Sequence, residues 1–305
     1  MGPTTIQRPD VLVLGGGGIL GEAWMSGLLA GVESESGIDF RSCEHFVGTS
    51  AGSIVAARLV AGRKPWLPDF PARAADPARA PSASLATTLG SLAARAAATV
   101  ATPFAPLALA LASPGGAYGR ALALARVADS GEGLEQLADR IERWGTRFDG
   151  RLRVVAVERA SGRRVVFGAP GAPAATAAEA VKASCAVPWI FRPALIGGRE
   201  YVDGGVWSPT SIDVAPAGRH SEVLCLFPTA RLDRLRSPIG RLALAMRPQV
   251  ELETLALRQR GARVRVIGPD RPSGEVMGDN FMDPARRERV LAAGYAQGRE
   301  LVATA

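Results

Sequence analysis

A strand that must turn into a helix around one serine sets the terms for this chain. His45-Phe46-Val47 is a short, largely apolar run that reads as the end of a strand. Ile54, Val55, Ala56, Ala57, Leu59 and Val60 read as an apolar helix. Between them lies Gly48-Thr49-Ser50-Ala51-Gly52, and G-x-S-x-G is the spacing that puts a serine on a sharp strand-to-helix turn. Such a turn crowds the backbone beside the serine, which residues without a side chain tolerate best. It exposes the hydroxyl and aims the first free N–H groups of the helix at whatever the hydroxyl attacks. The plainer reading is a helix start capped by Thr49, Ser50 or Ser53.

A second strand-to-helix junction lies upstream. Val11-Leu12-Val13-Leu14 is wholly apolar, as in a buried strand of a parallel sheet. It feeds Gly15-Gly16-Gly17-Gly18-Ile19-Leu20-Gly21, after which Ala23, Trp24, Leu28, Leu29 and Val32 recur at helical spacing. A glycine loop opening a helix presents several amides, an arrangement suited to an anion. Gly16, Gly18 and Gly21 also fit G-x-G-x-x-G, which admits a dinucleotide-binding alternative. That alternative wants an acidic residue closing a second strand about 20 residues on. Glu33, Glu35 and Asp39 follow, but the next strand runs straight into the serine turn.

The rest of the chain bounds the fold. Its 305 residues, 47% hydrophobic and 21% charged, suffice for a large core. The net charge of +7 comes almost wholly from arginine, Lys64 and Lys182 being the only lysines. These arginines suit anionic surfaces, but no run of like charge forms a nucleic-acid arm. Cys43, Cys185 and Cys225 have no C-x-x-C spacing, which argues against a disulfide framework or a zinc site. With no signal-peptide pattern at the N-terminus, these cysteines lead to an expected cytoplasmic location, peripheral at a membrane at most.

Between Gly62 and Val127 the composition shifts to proline, alanine and leucine. Pro103, Pro106 and Pro114 interrupt an uncharged stretch that would otherwise approach membrane-spanning length. The expectation is a helical cap over residues 63–128, an apolar lid able to meet lipid or to cover an acyl chain, inserted in one domain spanning 1–305. Beyond it, an amphipathic helix near 133–144, a hairpin over 152–167, a helix ending before Pro188, and strands ending at Asp203, Phe227 and Ile267 precede a C-terminal helix. Strands alternating with helices indicate a three-layer α/β/α fold with a mostly parallel central sheet.

A serine hydroxyl needs a base. His45 lies in the strand before Ser50 and His220 in an apparent loop, and neither occupies the late position of a triad histidine. Asp203, closing an apolar strand before Gly204-Gly205, is the candidate, with an ordinary turn aspartate as the plain alternative.

Together these residues resemble the patatin-like phospholipases, lipid acyl hydrolases that use a Ser–Asp dyad without histidine. Their glycine loop, G-x-S-x-G and D-G-G/A blocks match Gly16 to Gly21, Gly48 to Gly52 and Asp203-Gly204-Gly205 in order. Ala183-Ser184-Cys185-Ala186-Val187-Pro188, Phe191, Pro193 and Tyr201 are also similar. The likeness covers roughly 10–62 and 150–210. It implies Ser50 as nucleophile, Asp203 as base, and the backbone amides of Gly16, Gly17, Gly18 and Ala51 as the oxyanion hole. It further implies a lipid or fatty-ester substrate, with neither cofactor nor metal; the apolar 63–128 insertion is where any peripheral membrane contact is expected. Leu20 stands where the family's loop carries arginine, which leaves room for a non-catalytic lipid-binding or regulatory member.

Overall fold

Side-chain alternation along the first strand decides the layering. In β1 (Val11–Leu14) all four residues are completely buried. Leu12 and Leu14 join Trp24, Leu28 and Leu29 on one face, while Val11 and Val13 join Val223, Cys225, Val250 and Leu257 on the other. A strand covered on both faces needs helices on both sides, so its sequence is a continuous apolar run. The computed structural model describes residues 6–65, 116–127, 131–230 and 238–303.

On the first face lie α1 (Gly18–Ser36), α2 (Ala51–Val60), α4 (Glu135–Trp144), α5 (Ala177–Ser184) and α8 (Arg287–Ala303). On the second lie α3 (Gly116–Ala125), whose Leu124 packs on Val157, Val202 and Val206, and α6 (Pro238–Gln259). The short α7 (Arg271–Met277) starts at Asp270, whose carboxylate accepts from the Ser273 N–H. Glycine faces let α1 and α8 lie almost backbone to backbone. A Cβ on Gly27 would stand 2.1 Å from the Leu291 carbonyl oxygen, and one on Gly298 2.2 Å from that of Leu28.

The sheet runs β5-β6-β3-β2-β1-β7-β8, with β4 also on β3. The strands β1, β2 (His45–Thr49), β3 (Leu152–Glu158), β7 (Glu222–Leu226) and β8 (Arg263–Ile267) are mutually parallel. By contrast β4 (Arg164–Phe167), β5 (Ala194–Ile196) and β6 (Arg199–Asp203) are antiparallel to their partners. This is the mostly parallel three-layer sheet that the sequence indicates.

Register around β3 positions the site. Val155 pairs with Thr49 and with Val166, and Ala156 pairs with Val165 and with Asp203. A strand residue has only two hydrogen-bonding edges. Because β4 occupies one edge from Val154 to Val157, β2 and β6 share the other, end to end. Asp203 therefore follows Thr49 directly along that edge.

The expected cap falls mostly outside the described residues. Its described end, α3, packs on β3 and β6, and Arg120 stacks over the Trp207 ring at 4.2 Å. No helix among the described residues is long and apolar enough to cross a membrane.

Candidate active site

Ser50 occupies the turn between β2 and α2 with φ 52° and ψ −125°. This left-handed backbone is strained for a residue with a side chain. The flanking glycines are required by contact. A Cβ on Gly48 would stand 2.4 Å from the Ser53 Cα, and one on Gly52 1.9 Å from the Leu14 carbonyl oxygen. The turn is stapled from within, since the Ser53 hydroxyl donates to the Ser50 carbonyl at 2.6 Å.

A second support comes from the end of α5. The Ser50 N–H donates to the Ser184 hydroxyl at 2.9 Å, and that hydroxyl donates to the Val155 carbonyl at 2.6 Å. Two residues on, the Ala186 carbonyl accepts from the Asp203 N–H at 3.0 Å. One short segment thus pins the backbone of both Ser50 and Asp203. The sequence marks this segment as a similar block, but its clamping role depends on chain crossings that sequence spacing does not reveal.

Asp203 is 1% exposed. Its Oδ1 accepts from the Gly205 N–H at 2.7 Å, while Oδ2 has no hydrogen-bond partner. Burial pushes its carboxyl from 3.8 up to about 7, against the opposing pull of the Ser50 hydroxyl and the Gly205 amide. The Ser50 hydroxyl is near enough to favour the ionised carboxylate. His45, at the far end of β2, has a buried Nδ1 without a partner, and His220 sits in a turn beside Gly261.

The glycine loop reaches the same place. A Cβ on Gly16 would lie 3.4 Å from the Ser50 Cβ. Of the four expected oxyanion amides, that of Gly16 is a correction. Its N–H donates to the Pro209 carbonyl at 2.8 Å, because the chain after β6 folds back over the glycine loop. The amides of Gly17, Gly18 and Ala51 have no hydrogen-bond partner among the described residues. Gly18 and Ala51 lie at the N-termini of α1 and α2, where unpaired amides favour negative charge.

Segment 277–283 braces this corner. The Phe281 carbonyl accepts from the Leu20 N–H at 3.0 Å, and Met282 packs against Gly18. Leu20 itself is completely buried in the core, so it offers no group to a ligand.

A half-open cleft of about 430 Å³, including solvent at its mouth, leads to Ser50. Ile19, Ile54, Leu134, Leu137, Val187 and Phe191 give it apolar walls, and among the described residues Glu22 is the one carboxylate lining it. Glu22 is held by the Arg287 guanidinium at 3.6 Å. Among the described residues, no group of three or more His, Cys, Asp or Glu side chains is arranged to hold a metal ion.

A serine on a strained strand-to-helix turn, a buried carboxyl and a glycine loop come together at one end of an α/β sheet. The model of the patatin-like phospholipase family matches residues 12–216, about two thirds of the chain, and the chain belongs to that family. No curated protein matches the sequence. Among solved structures, the crystal structure of VipD from Legionella pneumophila is similar over 98% of this chain and 67% of its own, with 13% identity and a TM-score of 0.43.

Proposed function

We propose that this chain is a serine acyl hydrolase cleaving carboxylic ester bonds of lipids. The observation that supports this reading is the register that puts Asp203 next after Thr49 on one edge of β3, with a buried carboxylate whose Oδ2 has no hydrogen-bond partner. In the forward step, the Ser50 hydroxyl gives its proton to Asp203 Oδ2 as its oxygen attacks the ester carbonyl carbon. Charge developing on the carbonyl oxygen is met by the amides of Gly17, Gly18 and Ala51. Donors of this kind typically contribute about 3 kcal/mol each in a preorganised site. The proton passes from Asp203 to the departing alcohol, leaving the acyl group on Ser50. Water then attacks the acyl ester as Asp203 takes its proton, and Asp203 returns that proton to the Ser50 oxygen as the fatty acid leaves.

An isolated aspartate is too weak a base for this work at neutral pH. A carboxyl raised to about 7 by burial is better matched to a hydroxyl proton. The apolar walls of the cleft suit a fatty acyl chain, with the ester held at the Ser50 end. Turnover of p-nitrophenyl esters and phospholipid vesicles, compared with Ser50→Ala, tests the reading. Equal turnover by the variant would overturn it.

A further inference from the structure

Glu253, on α6, is buried, and the proposed reaction does not use it. Its Oε2 accepts from the Ser208 hydroxyl at 3.0 Å, the Thr210 hydroxyl at 3.2 Å and the Ile212 N–H at 3.2 Å. Its Oε1 accepts from the Gln249 amide at 3.3 Å, and that amide also donates to the Trp207 carbonyl at 2.8 Å. The carboxylate thus gathers donors from one short loop, 207–212, that follows Asp203.

The carbonyls of this loop reach the site. The Pro209 oxygen accepts the Gly16 N–H at 2.8 Å, and a Cβ on Gly15 would stand only 3.0 Å from it. The Thr210 oxygen accepts from the hydroxyl of Thr49, the residue before Ser50, at 3.4 Å. Ser211 is held at φ 47° with a buried, unpartnered hydroxyl.

On the basis of the hydrolase reading, we propose that Glu253 is a positioning residue. It holds loop 207–212 so that Pro209 fixes the glycine loop at Gly16 and Thr210 fixes the strand end that carries Ser50. A buried carboxylate with its donors in place rigidifies such a network, and removal of one partner leaves the others unsatisfied. Misplacement by a fraction of an ångström at a reacting centre acts on kcat more than on substrate binding.

The carboxylate also titrates near neutrality. Burial chiefly raises it to about 7, Asp213 adds to the rise, and Ser208, Arg164 and Thr210 oppose it. Asp213 is itself paired with Arg164 at 2.5 Å, and the Cys225 thiol faces Glu253 from β7. The ionised form accepts all its donors at once, whereas protonation turns one acceptor position into a donor.

The test measures kcat and KM on p-nitrophenyl butyrate over pH about 5 to 9, together with hydrogen exchange at the Gly16 amide. Wild type, Glu253→Gln and Glu253→Ala are compared. Glu253→Ala is expected to lower kcat about 10- to 100-fold with KM within about twofold, and to speed Gly16 exchange. Glu253→Gln, which keeps an acceptor for the loop donors, recovers most of kcat and shows one ionisation near neutrality where wild type shows two. If Glu253→Ala does not fold, Ser208→Ala carries the test and lowers kcat in the same sense. Unchanged kcat or unchanged Gly16 exchange in the folded variant would overturn the positioning role. An inactive wild type would instead overturn the hydrolase reading, with Gly16 exchange still deciding whether Glu253 holds the loop.

Discussion

Asp203 and Ser50 meet because the strands carrying them share one edge of β3. Thr49 pairs with Val155 and Asp203 with the next residue, Ala156, from strands that run in opposite directions. The tip of β2 therefore faces the tip of β6. Two residues far apart in sequence become neighbours through hydrogen-bond register alone. The Ser184 and Ala186 contacts lock the pair from behind.

Removing either partner should stop the chemistry without unfolding the protein. Ser50→Ala is expected to reduce ester turnover by about 10³-fold or more, and Asp203→Asn by a similar order. Steady-state kinetics with circular dichroism as a folding control checks both.

Asp203→Asn should stabilise the fold above neutrality. A carboxyl raised from 3.8 to about 7 in the native state favours folding while protonated, and that contribution fades as pH rises through 7. The ionised, buried group then costs roughly 4 kcal/mol relative to an unshifted one. The variant should thus gain on wild type steadily between pH about 4 and 8 in urea denaturation. Glu253 shifts in the same direction in both proteins and cancels in the difference.

Ser184→Ala leaves the Ser50 amide and the Val155 carbonyl without their shared partner. Loss of two buried hydrogen bonds is expected to cost about 2 to 4 kcal/mol of stability. It should also lower kcat, because the nucleophile's backbone loses an anchor. Thermal melting and kcat on a soluble ester measure the two effects.

Gly52→Ala would drive a methyl group to 1.9 Å from the Leu14 carbonyl. Backbone cannot yield that far without breaking the β1–β2 junction. A loss of about 3 kcal/mol or more is expected, seen as a lowered melting temperature or failure to recover soluble protein.

Leu134→Trp should narrow the apolar cleft without touching Ser50. Turnover of acetyl esters is expected to hold within about twofold, while that of long-chain esters drops about tenfold or more. A chain-length series of p-nitrophenyl esters reads this directly.

Much of the frame is legible in the sequence. Val11–Leu14 announced itself as a strand buried on both faces, and the glycines around Ser50 announced a turn. Contact, not positive φ, is what makes Gly48 and Gly52 necessary; the strained φ belongs to Ser50 itself. Asp203 was a fair candidate for a reason that differs from the one found. The sequence offers a carboxylate closing an apolar strand, whereas the register shows that strand, β6, antiparallel to β3 and meeting β2 end to end.

Features that depend on long-range crossing were hidden. Pro209 takes the Gly16 amide, Ser184 clamps Ser50, and Phe281 braces Leu20, each across more than a hundred residues of chain. Helix α6 gave no clear periodic signal, with Pro248 inside it. No motif in the sequence marks Glu253. Residues 66–115, the heart of the expected cap, lie outside the described residues.

The central claim is that a dry carboxylate, with no imidazole, activates Ser50. Labelling by a fluorophosphonate probe, followed by intact-protein mass and peptide mapping across pH, tests it most directly. Wild type should label once, at Ser50, with a rate that rises as pH passes about 7. In Asp203→Asn, Ser50 should label at least about 100-fold more slowly, with no rise near neutrality. Equal labelling of Ser50 in both proteins, or a labelled residue other than Ser50, would contradict the account.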